Sequence, residues 1–177
     1  MKLEVKDKNY CATVVCINKL VPLAGCDNIQ HAVIFANSVI VGKDVKEGDM
    51  GFFFPVETKL SAEFIKNNNL YRDNTLNADT TKKGFFELNG RVRCCKMRGF
   101  KSEGFFIPLT SLKYLGNFNF SQGQEFNLID GHLICEKYVV REKLEGTPKK
   151  KDKKVVKKIS RLVENQYRLM NDKLCVA

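Results

Sequence analysis

Apolar and polar positions along this 177-residue chain alternate in short blocks that change character every few residues. Two blocks share one grammar, Gly51-Phe-Phe-Phe-Pro-Val-Glu-Thr-Lys-Leu-Ser61 and Lys101-Ser-Glu-Gly-Phe-Phe-Ile-Pro-Leu-Thr-Ser111. Each is an aromatic-rich strand signal ended by a proline, and a polar Thr/Ser stretch of turn or capping character follows. Aromatic and β-branched side chains suit a pleated, half-buried surface, and proline cannot donate to a central ladder, so the two strands should end near Pro55 and Pro108. Further strand signals lie at 2–5 and 11–20. Residues 29–35 and 38–41 read as a hairpin about Ala36-Asn37, and 126–129 with 132–138 as another across Asp130-Gly131. The stretches 21–28 and 43–49 carry turn chemistry. Residues 60–67 predict a short helix with Ser61 as its N-cap. The polar stretch 67–83, about 17 residues, is long for a connection in a compact domain, which marks it as functional or disordered. Short strands spaced by turns predict a mainly β fold, an OB-like β-barrel with a short helix, and not a βαβ sheet.

After Val140 the pattern changes. Residues 1–136 are expected to form the barrel, 137–154 a basic connector and 155–177 a helical C-terminal segment, so the extension is basic and partly helical. Apolar residues at Val155, Val156, Ile159, Leu162, Val163, Tyr167 and Leu169 fall near helical spacing. That face carries too much apolar surface to stand alone and calls for a partner surface, either the barrel or something beyond the chain's end.

Charge sharpens this division. The net charge is +10, yet residues 137–177 hold 13 Lys/Arg against 5 Asp/Glu. Most of the basicity therefore belongs to the tail. Such a tail suits a polyanionic partner through counterion release, without sequence preference, or serves as a solvated tether. No run approaches the roughly 18 to 20 apolar residues of a membrane span, and the N-terminus alternates as a strand does, so no membrane partner and a cytoplasmic location are expected. The seven cysteines include no Cys-x-x-Cys and no His/Cys ligand spacing. They read as reduced, partly buried thiols, with neither a disulfide framework nor a metal site. Of the two histidines, His31 within an apolar strand reads as a satisfied core residue.

The strongest basic feature of the folded part is Arg91-Val-Arg-Cys-Cys-Lys-Met-Arg98. In a regular strand Arg91 and Arg93 share one face and Lys96 and Arg98 the other; a bulge at Cys94-Cys95 would bring all four together. With Lys101 and nearby Phe100, this is the mixture with which barrel-type nucleic-acid binders follow a phosphate backbone and stack bases. The same residues could instead form an edge strand defended by charge. Glu142-Lys-Leu-Glu-Gly-Thr147 is similar to the Lys-x-(Asp/Glu)-Gly motif of covalent nucleotidyltransferases. Catalysis at Lys143 would need a nucleotide cradle and metal-holding carboxylates from later strands. Only 34 residues follow Lys143, dominated by lysine, so a polar turn is the reading preferred, with Lys143 kept as a weak catalytic candidate.

Several blocks resemble one family. Asp27-Asn28, Val39-Ile-Val-Gly-Lys-Asp-Val-Lys-Glu-Gly-Asp49, the Gly51–Ser61 block, Leu70-Tyr-Arg72, Asn77-Ala-Asp-Thr-Thr-Lys82, Arg91-Val-Arg93, Arg98-Gly-Phe-Lys-Ser-Glu-Gly104 and Ser160-Arg-Leu-Val-Glu-Asn-Gln-Tyr167 are similar to ATP-dependent RNA ligases of the Deinococcus type and their phage relatives. The resemblance implies an N-terminal OB-like domain that grips RNA near the join. It places the nucleotide-accepting lysine of a catalytic nucleotidyltransferase domain after the Ser160–Tyr167 block, beyond this chain's last residues. The chain is thus expected to be the N-terminal module with its connector, a piece or one half of a split protein. RNA contact is carried onto Arg91, Arg93, Lys96, Arg98 and Lys101. No cofactor is expected in this chain, ATP and Mg being implied only for the absent domain, which would act in cis or in trans. Three other readings stay open: a protein-interaction module docking a separate catalytic subunit or itself through residues 155–170, a minimal nucleotidyltransferase using Lys143, and a tRNA-binding module.

Overall fold

The strand Met50–Phe54 organises the molecule, and its position follows from its own residues. In the computed structural model, which describes residues 1–140, it lies inside a four-stranded antiparallel sheet ordered Phe105–Pro108, Met50–Phe54, Ala12–Cys16, Glu125–Phe126. Side chains alternate across a strand, so Phe52 and Phe54 face one core and Phe53 the other. All three are buried, each stabilising the fold by roughly 2–3 kcal/mol.

The Phe52/Phe54 face is covered by the helix Ala62–Asn67, through Phe64 and Ile65, together with Leu112, Phe126 and Ile134. Phe52 meets the Phe126 ring edge-on at 5.4 Å. On the Phe53 face lies the meander Leu20–Pro22, Ile29–Ile34, Asn37–Gly42, which contributes Ala32, Ile34, Val39 and Val41. Ser61 caps the helix as expected, its hydroxyl accepting from the Phe64 N–H at 3.2 Å. The first hairpin turns at Phe35-Ala36, one residue early, with both residues at positive φ.

Both prolines end their strands. Past Phe54 the chain turns at Pro55, with Glu57 at φ +69°, and re-enters as Thr58–Leu60, a strand not foreseen, which pairs with Cys135–Lys137. Pro108 closes its ladder against Gly51 and leads directly into the 3-10 turn Leu109–Leu112. The stretch 67–83 carries one 3-10 turn, Asn74–Leu76. Met1–Tyr138 forms one compact unit.

Among the described residues the structure shows the mainly β class with a single short α-helix, but the expected closed barrel is not formed. Among the described residues the ladders make five separate sheets. Where a barrel would continue from Asn37–Gly42 into Phe100–Ser102, Glu103 N–H donates to the Ser38 carbonyl at 2.8 Å. Beside it the Ile40 N–H donates to the Ser102 hydroxyl at 3.0 Å, a side chain standing in for a carbonyl. Gly104, at φ +137°, then breaks the strand between Ser102 and Phe105 and ends the pairing.

The expected continuous strand 91–98 is also divided. Residues 90–92 run beside 57–60, through Leu60 N–H to Gly90 carbonyl (2.9 Å), Val92 N–H to Thr58 carbonyl (2.8 Å) and Glu57 N–H to Val92 carbonyl (2.9 Å). The chain then leaves to form a separate hairpin, Cys95–Met97 with Phe100–Ser102. Its two-residue turn places Arg98 and Gly99 at φ +50° and +88°, the doubly left-handed turn that suits the right-handed twist of a hairpin. No helix among the described residues is long and apolar enough to cross a membrane. Lys143 and the apolar stripe of 155–170 lie outside the described residues.

Candidate nucleic-acid interface

Residues 70–72 and 84–86 lie side by side, and their backbone bonds set the geometry of the candidate site. Gly84 N–H donates to the Tyr71 carbonyl (2.8 Å), Phe85 and Phe86 N–H to the Leu70 carbonyl (2.9 and 2.8 Å), and Arg72 N–H to the Phe86 carbonyl (2.8 Å). Gly84 passes so close to Leu70 that a Cβ would collide with the Leu70 backbone. Gly84→Ala is therefore expected to destabilise the protein by about 2 kcal/mol, measured by urea unfolding.

These segments open onto a cleft of about 550 Å³. It is lined by four cations, Arg72, Arg91, Arg93 and Lys96, and two carboxylates, Asp44 and Glu87, an excess of two positive charges. Phe85 and Phe105 supply aromatic surface. Phe86 is buried, whereas Phe85 beside it keeps 54% of its surface exposed. Phe85 packs against Phe86 with centroids 4.8 Å apart and meets the edge of Phe105 at 5.6 Å.

The five cations expected to contact RNA are placed in three settings. Arg91, Arg93 and Lys96 line the cleft; Arg98 and Lys101 do not. Arg91 donates to Glu57 Oε1 from Nη2 (2.6 Å) and Nε (3.2 Å), and its guanidinium stacks 4.7 Å over the Tyr138 ring. The Glu57 hydrogen bond holds Arg91 above its ordinary pKa. Arg93 Nη2 lies 3.3 Å from Glu87 Oε2, while Arg72 Nη1 lies 3.7 Å from Glu87 Oε1, so one carboxylate bridges two guanidiniums. Arg98 donates to the Gly25 carbonyl at 3.3 Å. Lys96 and Lys101 stand opposite each other across the hairpin. Lys101 pairs with Glu103, whose hydrogen bond lifts the ammonium and lowers the carboxyl; Lys96 has no acidic partner among the described residues. Water screens such surface and half-buried pairs, which add little to stability, and their cations remain able to exchange a carboxylate for a phosphate.

Sequence reading missed Arg72 and Phe85. Arg72 stood in the Leu70-Tyr-Arg72 block, inside the polar stretch 67–83 whose fold places it. Phe85 gave no local signal, since adjacent phenylalanines can both be buried, as Phe52, Phe53 and Phe54 are.

The remaining candidates are quickly placed. Cys11, Cys26 and Cys135 are buried free thiols and Cys94 and Cys95 are exposed; burial pushes the Cys135 thiol up to about 12, an unreactive state. Cys175 lies outside the described residues. His31 is half-buried, edge-on to Phe100 at 5.9 Å, but its Nε2 has no hydrogen-bond partner among the described residues, contrary to the expected satisfied core histidine. Among those residues no three His, Cys, Asp or Glu side chains cluster as metal ligands.

No family model matches the chain, and no curated protein matches it. Among solved structures it is similar to mutants of the Naegleria gruberi RNA ligase. One, with AMP and Mn, aligns at 20% identity and a TM-score of 0.49 over 72% of this chain and 34% of that one. Another, with ATP and Mn, gives the same identity and TM-score over 72% and 35%. A third, without ligand, gives 20% identity and 0.44 over 64% and 31%. The chain spans about a third of the length of these ligases.

Proposed function

We propose that this chain is an RNA-binding module of an RNA ligase-like protein, positioning RNA for end joining without a complete active site of its own. The carrying observation is the cleft, where four cations exceed two carboxylates beside an exposed aromatic ring. That is the chemistry with which a surface tracks a phosphate backbone and stacks bases. The basic residues of 137–177 add a sequence-independent attraction to the same polyanion. Nucleotidyl transfer, with its ATP and Mg, is assigned to a catalytic domain acting in cis or in trans.

The test is salt-titrated binding of a labelled single-stranded RNA to the full chain and to the Arg72→Ala/Arg93→Ala/Lys96→Ala variant. Each phosphate contact on a single strand contributes a slope of about 0.7 in the double-logarithmic plot. The variant is expected to lose about 2 from the slope and at least ten-fold in affinity. An unchanged slope would assign binding to the tail and sink the cleft. A second expectation follows from the assignment of chemistry elsewhere: incubation with ATP and Mg should leave the intact mass unchanged. A gain of one AMP abolished by Lys143→Ala would make the chain a nucleotidyltransferase.

A further inference from the structure

The feature of the cleft left unexplained by general polyanion binding is the company Phe85 keeps. A large aromatic side chain with 54% exposure is held by three backbone hydrogen bonds of the 84–86 segment to Leu70 and Tyr71 and backed by Phe86 and Phe105. It is presented by a rigid seat, not a loose loop. Two residues further on and lining the same cleft, Glu87 draws Arg72 and Arg93 towards one carboxylate, an oxygen for each guanidinium. Two guanidiniums converging on one anion make a phosphate-sized fork, already charged with an anion of the protein's own.

Resting on the RNA-binding reading above, we infer that the cleft takes an unpaired nucleotide, its base stacked on Phe85 and its phosphate entering between Arg72 and Arg93 in place of Glu87. A duplex keeps its bases stacked on one another and would offer Phe85 only sugar and phosphate; a single strand can splay a base onto the ring. The cleft, at about 550 Å³, falls within the range of small-ligand sites. Glu87 keeps the fork ordered when empty and opposes binding of any anion that cannot displace it. Weak polyanions without a base to stack are thereby disfavoured, which gives the site selectivity that charge alone lacks.

The experiment compares an eight-nucleotide single-stranded RNA with a fully abasic strand of the same length and charge, using the full chain. The wild type is expected to favour the strand with bases by roughly ten-fold, the scale of one base–aromatic stack. Phe85→Ala and the apolar but non-aromatic Phe85→Leu should each lose most of that preference, read as the ratio of the two affinities within one variant. Glu87→Gln should tighten binding of both strands several-fold. If the Phe85 variants keep the wild-type preference, or if an acidic peptide of equal charge binds as tightly as the RNA, the inference is wrong. Its failure is distinct from that of the broader reading: RNA binding sensitive to Arg72, Arg93 and Lys96 but indifferent to Phe85 leaves a phosphate-tracking cleft without a base site. Insensitivity to the cations removes both.

Discussion

Asn127→Ala is expected to destabilise the protein by about 4 kcal/mol, the largest effect of any single polar substitution proposed. Asn127 is 1% exposed, and its amide is fully used. Oδ1 accepts from the N–H groups of Lys6 (2.8 Å) and Asp7 (3.0 Å), and Nδ2 donates to the carbonyls of Tyr10 (2.9 Å) and Cys135 (3.1 Å). One side chain thus ties the beginning of the unit to its end. Alanine removes all four of these bonds, each worth about 1 kcal/mol when simply lost. The melting temperature should fall by roughly 15 °C. Asn127→Asp should be nearly as harmful, since a carboxylate cannot donate to the two carbonyls and is costly to bury. Exposed Asn18→Ala is the control, expected within about 0.5 kcal/mol of wild type. A loss under 1 kcal/mol for Asn127→Ala would mean that water enters and replaces the amide.

The second large effect links the polar stretch 67–83 to the cleft. Asn77, buried within it, accepts from Tyr71 N–H (2.9 Å) and donates to the carbonyls of Tyr71 (3.1 Å) and Lys82 (2.8 Å). Tyr71 is also the residue against which Gly84 pairs, so Asn77 holds both sides of the seat that presents Arg72 and Phe85. Asn77→Ala is expected to destabilise by about 3 kcal/mol, three bonds at about 1 kcal/mol each, and to weaken RNA binding several-fold even where the protein is still folded. Full RNA affinity at a temperature where the variant is folded would show that the stretch stabilises the unit without positioning the site. Acid should loosen the same stretch. Hydrogen bonds from Thr75 and Thr81 hold the Asp73 and Asp79 carboxyls below their ordinary value of 3.8. A lowered folded-state pKa means that their contribution is complete above the ordinary aspartate range and is lost as pH falls through the lowered values. Amide exchange in 73–82 followed at decreasing pH would report it.

How much of this was legible beforehand varies with the range of the forces involved. Ser61 as a helix cap and the stops at Pro55 and Pro108 follow from the local stereochemistry of hydroxyl and imino-acid residues, and the structure has them there. Both hairpin turns survive for the same reason, the first shifted by a residue to Phe35-Ala36, the second pairing only Leu128–Ile129 with His132–Leu133 while Cys135–Lys137 joins Thr58–Leu60. The basic segment was read as one strand because alternation alone cannot say where a ladder ends. Backbone partners in 57–60 claim residues 90–92, and the sharp Arg98-Gly99 turn claims the rest. Asn127 illustrates the opposite failure. Set between Phe126 and Leu128, it fits the solvent face of an alternating strand, yet its backbone neighbours from residues 6–10 and 135 converge on it and bury it.

By itself, then, the amino-acid sequence determined what depends on neighbours a few residues apart. It specified a mainly β chain, its aromatic strands and where they stop, one capped helix, and a concentration of positive charge near Arg91–Lys101 and after residue 137. Only the tertiary structure decided that the sheets stay open, because a hydroxyl and a glycine break the pairing at Ser102–Gly104. It likewise drew Arg72 and Phe85, nineteen and six residues before Arg91 in sequence, into one cleft with Arg93. Those outcomes depend on which distant backbone groups find hydrogen-bond partners and which rings find space, and neither is written in the local order of residues.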